Sequence, residues 1–402
     1  MAHFIVVGGG QAGASLVAKL RNSGFDGRIT LIGAEPVPPY ERPPLSKAYL
    51  LGEMAQERLY LRPAHFYDDL DITLRLNTEV TELDVGAKTV SLGAEVLAYD
   101  KLALCTGSHP RRLPAAIGGD LGNVFTVRTL ADVDAMAPQV REGARALIVG
   151  GGYIGLEAAA VAAKKGMQVT LVEMGQRILQ RVAARETSDH FRALHKSHGV
   201  DIREGVGLER LLGDGDVSGA RFTDGSEIAV DMAVVGVGIV PATELAEAAG
   251  LEIDNGIKTD ARGRTSAPDV YAAGDCTSFP YRGTRIRLES VPNAIDQAEV
   301  VAQNMMGGDV DYVAKPWFWS DQYDCKLQIA GLNTGYDHVE TRHGDDGRTS
   351  FWYFHGAQLV AVDAMNDARG YMVAKRLIEA GKTITRDEVH TPDGDMKTLL
   401  KR

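Results

Sequence analysis

One unit occurs twice in this chain, and no other feature limits its fold so narrowly. The first copy runs Phe4 to Val7, then Gly8-Gly9-Gly10-Gln11-Ala12-Gly13, an Ala/Leu-rich stretch to about Arg21, and the run Arg28 to Ile32 followed by Glu35. The second runs Ala144 to Val149, then Gly150-Gly151-Gly152-Tyr153-Ile154-Gly155, a helical stretch to about Lys165, and Gln168 to Val172 followed by Glu173. Each sets G-x-G-x-x-G between a predicted strand and a predicted helix, then an acid at the end of the next strand, 27 residues past the first glycine in one copy and 23 in the other. The first glycine permits the turn, the second lets backbone approach a pyrophosphate, and the third packs helix on strand. The helix N-terminus then stabilises the anion. A separation of 142 residues between the copies predicts two nucleotide domains on one chain.

A third glycine segment, Thr265 to Asp275, ends a short apolar strand on Gly274-Asp275, where an aspartate could hydrogen-bond a ribose or ribityl hydroxyl. Two similar strand ends, Leu102 to Gly107 and Val234 to Gly238, read as exits from the nucleotide domains, with hinges near 107–114 and 236–241. From about Lys315 the chain changes character. It holds all three tryptophans, Trp317, Trp319 and Trp352, alternating runs at 327–331 and 359–362 that predict antiparallel strands, and a closing helix over 368–380. The expected class is α/β, with two Rossmann-like domains and a C-terminal α+β domain.

Length and composition agree, because 402 residues leave room for two to four domains at about 100 to 200 each. The 45 glycines exceed the usual share of roughly 7%. A net charge of −11 argues against nucleic acid and anionic membrane as partners. Three scattered cysteines, Cys105, Cys276 and Cys325, offer neither a disulfide framework nor a four-thiolate metal cluster, so no metal is expected and a reducing cytoplasm fits. The chain opens on a strand-like segment and shows no apolar run long enough to span a bilayer, so neither secretion nor membrane insertion is expected.

These motifs resemble the flavoprotein reductases with two dinucleotide-binding domains. More closely, the chain is similar to the FAD-dependent, NADH-using ferredoxin reductases of bacterial oxygenase systems, of the putidaredoxin reductase and biphenyl dioxygenase reductase type. The resemblance spans about residues 4 to 385. It is carried most specifically by Pro39-Tyr40-Glu41-Arg42-Pro43-Pro44-Leu45-Ser46-Lys47, with support from 152–157, Ala273-Gly274-Asp275 and 289–294.

The resemblance implies a glutathione-reductase-like arrangement: an FAD domain over 1–110 and 240–314, an NADH domain over 111–239, and a third domain over 315–402. FAD would be held by Gly8, Gly10, Ala12 and Gly13 at the pyrophosphate, Glu35 on the adenosine ribose, Arg42 and Lys47 on the loop over the cofactor, and Val80 at the adenine end. Arg128 would approach from the domain junction and Asp275 would hold the ribityl chain, while Val291 and Trp319 would flank the isoalloxazine. NADH would be held by Gly150, Gly152, Ile154 and Gly155, by Glu173 on the ribose diol, and by Arg181 and Gly238. A carboxylate at Glu173 favours NADH over NADPH, since it would repel a 2′-phosphate, although Arg177 lies four residues on.

The expected catalytic residues are Lys47, Glu157 and Trp319. By the family arrangement a lysine ammonium near the flavin pairs with a carboxylate from the NADH-side helix, and Trp319 stacks at the flavin. Disulfide reductases of this architecture carry a cysteine pair after the first nucleotide unit, whereas residues 36–60 here contain none. Electrons must therefore leave for an external acceptor, and a [2Fe–2S] ferredoxin in a transient complex is the expected partner. Arg282, Arg285 and Arg287, Arg111-Arg112, and Lys375-Arg376 are basic sites that could steer an acidic carrier. The alternatives are a rubredoxin or quinone reductase, and an NADH-sensing flavoprotein of the apoptosis-inducing type.

Overall fold

A computed structural model describes residues 1–63 and 65–401, and the chain divides into two compact units. The first comprises 1–41, 56–109 and 239–316; the second comprises 42–55, 110–238 and 317–402. The unit boundaries after 109 and after 238 fall inside the two glycine-rich crossings. The C-terminal segment shares a unit with 110–238.

The first unit is built on a five-stranded parallel sheet in the order Val270–Ala272, Lys101–Leu104, His3–Val7, Arg28–Ile32, Ile72–Arg75. Its strands are short apolar runs because both faces are covered: all five residues of His3–Val7 are buried. One face packs against the helices Gln11–Asn22 and Val291–Met305, through Leu16, Val17, Leu20, Ala298, Val301 and Ala302. The other face packs against Leu83, Val90 and Leu251. His3–Val7 lies between strands that come later in the chain on both sides, so the strand order reverses at its C-terminal end. A crevice opens at such a point, and Gly8 begins there.

The second unit repeats the plan, with parallel order Asp201–Glu204, Gln168–Glu173, Arg145–Val149, Met232–Val235, Val124–Phe125. The helix after its glycine motif, Tyr153–Lys164, is rich in alanine, which favours the helix and allows close packing. Residues 317–402 add a five-stranded antiparallel sheet, Trp317–Gln322, Cys325–Gly331, Gln358–Met365, Thr349–His355, His338–His343, closed by the helix Ala368–Glu379. Trp352 is fully buried between sheet and helix. Among the described residues no helix is long and apolar enough to cross a membrane.

Candidate active site

The two glycine motifs form the same cradle twice. Gly8 has φ +120°, and a Cβ there would sit 2.1 Å from the Cys105 carbonyl oxygen; Gly150 has φ +106°, and its Cβ would sit 2.4 Å from that of Gly236. A Cβ on Gly13 would lie 2.0 Å from the Gly8 carbonyl, and one on Gly155 would lie 2.1 Å from that of Gly150. These four glycines are demanded by the chain itself. Gly10 and Gly152 differ, because a Cβ on either would meet nothing within 4 Å. Space is left there for something outside the chain.

The helices that follow begin at Gln11 and Tyr153 with no side-chain cap and no acid in the first turn. Elsewhere Thr129, Ser290 and Asp367 cap the helices they precede. Uncapped N–H groups beside open space suit a pyrophosphate. Both cradles therefore fit a dinucleotide. Gly274 (φ +87°) brings the third segment to the first cradle, since its Cβ would lie 3.1 Å from that of Ala12 and its N–H donates to Gln297 Oε1 at 2.8 Å. Asp275 accepts from Ser108 Oγ at 3.2 Å.

The acids at the strand ends are held firmly. Tyr40 donates its hydroxyl to Glu35 Oε2 at 2.6 Å. Glu173 accepts from Gly151 N–H on one oxygen and Gly175 N–H on the other, each at 2.7 Å. Arg177 is committed elsewhere. It donates to the Ala183 and Ala184 carbonyls and to Ser188 Oγ, pinning the loop after Glu173. Arg181 is exposed, with Nη2 3.7 Å from where a Gly238 Cβ would be. Ile154 is also exposed, in the first turn of its helix.

Lys47 and Glu157 meet inside the second unit. Leu45–Tyr49 is one loose helical turn after Pro43-Pro44, broken at Lys47 (φ −131°, ψ −111°). Lys47 Nζ lies 2.8 Å from Glu157 Oε2, with side chains 18% and 7% exposed, too little for water to screen the pair. Lys47 also donates to the Pro43 carbonyl at 3.3 Å and Ser46 Oγ to Glu157 Oε2 at 3.3 Å, while Ser320 Oγ donates to Glu157 Oε1 at 2.7 Å. Sequence reasoning missed Ser46 and Ser320, and also Tyr40, Ser108 and Gln297.

The same unit places Arg42 Nη1 2.7 Å from the Arg128 carbonyl oxygen it donates to. Trp319 is half-buried on the Trp317–Gln322 strand, its ring 5.6 Å from that of Trp317. In the first unit Val80 is partly buried and Val291 opens the helix capped by Ser290. All three cysteines are buried, and burial pushes their thiols up, Cys325 to about 12. Two arginines of the basic run are engaged locally: Arg285 donates to the Thr259 and Ser278 carbonyls, and Arg287 pairs with Glu289. Arg282 stands over Tyr281, and Lys375 pairs with Glu379.

Two dinucleotide cradles and a buried lysine–glutamate pair define a class, the reductases that use a flavin and a nicotinamide together. The chain belongs to the pyridine nucleotide-disulphide oxidoreductase family, whose model matches residues 2–298, and a reductase C-terminal model matches 317–400. It is 44% identical to a ferredoxin–NAD(P)(+) reductase of Sphingomonas, over 98% of this chain and 97% of the other. It is 40% identical to putidaredoxin reductase of Pseudomonas putida, over 94% and 91% of the two chains. Among solved structures it matches the covalent putidaredoxin reductase–putidaredoxin complex with a TM-score of 0.95 at 37% identity, covering 100% of this chain and 99% of that one. FAD and NAD(P)H are the family's cofactors.

Proposed function

We propose that the protein is an NADH-dependent flavoprotein reductase passing electrons from NADH through FAD to a [2Fe–2S] ferredoxin, which supplies an oxygenase, either a cytochrome P450 or an aromatic-ring dioxygenase. The observation that carries this reading is the buried Lys47–Glu157 pair. Its lysine follows the first cradle in the chain, and its glutamate sits one turn inside the helix that the second cradle opens. Relatives named as ferredoxin and putidaredoxin reductases over nearly the whole chain support the same acceptor class.

A bound FAD would supply the chemistry that converts the electron pair of a hydride into single electrons. The chain's residues hold, charge and enclose it. By the family resemblance Gly8, Gly10, Ala12, Gly13, Glu35, Val80, Asp275 and Val291 of the first unit are assigned to FAD, and Arg42, Arg128 and Trp319 of the second unit are assigned to the same cofactor. Gly150, Gly152, Ile154, Gly155, Glu173, Arg181 and Gly238 form the NADH site. The domains follow as 1–110 with 240–314 for FAD, 111–239 for NADH and 315–402 at the C-terminus. Lys47 supplies positive charge where negative charge accumulates on hydride arrival, and Glu157 keeps the ammonium in place. Glu173, fixed by two backbone N–H groups, favours NADH because a 2′-phosphate would meet a fixed anion. Arg177 spends its donors on its own loop. Three buried thiols favour a reducing cytoplasm.

The test is anaerobic stopped-flow mixing with NADH and then with a panel of ferredoxins and rubredoxins. Fast flavin bleaching followed by rapid reduction of a [2Fe–2S] protein is the expected result. Fast bleaching with no carrier reduced would move the acceptor to a quinone, and sluggish bleaching would favour the NADH-sensing reading.

A further inference from the structure

A carboxylate inside the protein must replace its lost water with hydrogen bonds. Glu157 does so on one oxygen with Lys47 and Ser46. From the other oxygen a single file of side chains leads away. Ser320 Oγ donates to Glu157 Oε1 at 2.7 Å, Gln322 Nε2 donates to Ser320 Oγ at 3.1 Å, His195 Nε2 faces Gln322 Oε1 at 2.8 Å, and the Tyr323 hydroxyl faces His195 Nδ1 at 3.3 Å. Ser320, Gln322 and His195 are all completely buried. Ser320 and Gln322 share one face of the Trp317–Gln322 strand, and His195 comes from the last turns of the helix Arg185–Ser197.

Chemistry at the inner end sets the direction of the whole file. A carboxylate only accepts, so the one Ser320 proton goes to Glu157 and the Ser320 lone pair takes the Gln322 amide. The Gln322 carbonyl must then accept, which puts the His195 proton on Nε2 and leaves Nδ1 to accept from Tyr323. Every donor points toward Glu157. Burial holds His195 down at about 4, so it stays a neutral donor at ordinary pH. At the outer end the His198 ring stacks on Tyr323 with centroids 3.7 Å apart.

We propose that Ser320, Gln322 and His195 are positioning residues for hydride transfer, fixing the Glu157 carboxylate through Oε1 so that Oε2 presents the Lys47 ammonium at one place. This rests on the reading of Lys47 and Glu157 as the pair at the reaction centre. The file sets the pair's geometry and takes no part in NADH binding.

The experiment is a double-mutant cycle on the holoenzyme, reading flavin reduction by NADH and NADH affinity, with Ser320→Ala and Gln322→Leu each made in the natural background and in Lys47→Met. Ser320→Ala should slow reduction by about tenfold or more, the range for losing a hydrogen bond to a charged group, and Gln322→Leu, which loses a bond between neutral groups, by about two- to tenfold, both with NADH affinity unchanged. In Lys47→Met the same changes should cost less than about twofold, and Ser320→Thr, which keeps the hydroxyl, should recover most of the rate. Imidazole nitrogen NMR, with His195 assigned by its loss in His195→Gln, should show the Nε2–H tautomer in the natural protein and a tautomer mixture in Gln322→Leu. Equal slowing in both backgrounds, no slowing in the natural one, or an Nδ1–H tautomer would each overturn the proposal. A natural reduction rate in Lys47→Met would instead remove the reaction-centre reading, and the NMR spectrum would still report whether the file exists.

Discussion

Substituting single glycines separates what the chain needs from what its ligands need. Gly13→Ala drives a Cβ into the Gly8 carbonyl, so the apoprotein itself should lose stability, by about 1–3 kcal/mol as for other overpacking changes. Gly10→Ala meets no atom of the chain, so the melting temperature of the apoprotein should stay put. Its FAD affinity should nevertheless fall by about tenfold or more, which corresponds to roughly 1.4 kcal/mol. Thermal melts of apoprotein and titration with FAD check both halves. An apoprotein melt lowered equally by the two variants would show that Gly10 also serves the fold. The six-residue motif announces its glycines as a set, and only the placed backbone divides them by purpose.

Among the elements, the helix Arg185–Ser197 joins its unit through two buried titratable contacts of opposite sense. Burial lowers His195 from 6.5 to about 4, so the unfolded chain takes its proton near 6.5 while the fold refuses it. Its contribution is complete above that range and is lost as pH falls toward 4. Burial raises Asp363 from 3.8 to about 6, against hydrogen bonds donated by Tyr353 and by Thr187 of the same helix. That contribution is complete below 3.8 and is lost as pH rises through about 6. Acidifying from pH 7 to 4.5 should therefore cost the natural protein about 2–3 kcal/mol more than His195→Gln. Asp363→Asn should shift the balance the other way. Melting curves across that pH range read both signs, and parallel curves for His195→Gln and the natural protein would contradict the His195 assignment. His3 and His190 are lowered by burial too, so only the difference between proteins isolates His195.

These elements also show why the cradles were legible and the Glu157 file was not. Residues 4–7 and 146–149 are unbroken apolar runs followed by glycine, a pattern that admits few other folds. The strand Trp317–Gln322 inverts the usual rule, since Trp317, Phe318 and Trp319 are half-exposed while Ser320 and Gln322 are fully buried. Alternation of apolar and polar residues would have sent the two polar side chains to solvent. His195 and Lys47 are not near neighbours of Glu157 in sequence, so only tertiary packing brings the group together.

For the whole molecule, charge sets the terms of meeting a partner. A chain of net charge −11 repels an acidic carrier at long range, so on the proposed reading docking would rest on local basic residues such as Arg282 and the pair Arg111-Arg112. Ferredoxin reduction should slow steeply as salt rises, because these exposed charges act over a Debye length of only about 8 Å at physiological ionic strength. Arg282→Glu should lower the second-order rate constant for the carrier and leave flavin reduction by NADH unchanged. Stopped-flow traces at several salt concentrations decide this, and a flat profile would remove electrostatic steering.

The division of labour within each glycine motif has a consequence for how such proteins change over time. Gly8, Gly13, Gly150 and Gly155 are demanded by steric necessity, whereas Gly10 and Gly152 meet no atom of the chain and, on the proposed reading, answer only to a ligand. A descendant that gave up one nucleotide could let the middle glycine drift at little structural penalty and retain every strand and helix. Its loss of activity would be written in one letter of six, inside a fold that still looks fully equipped.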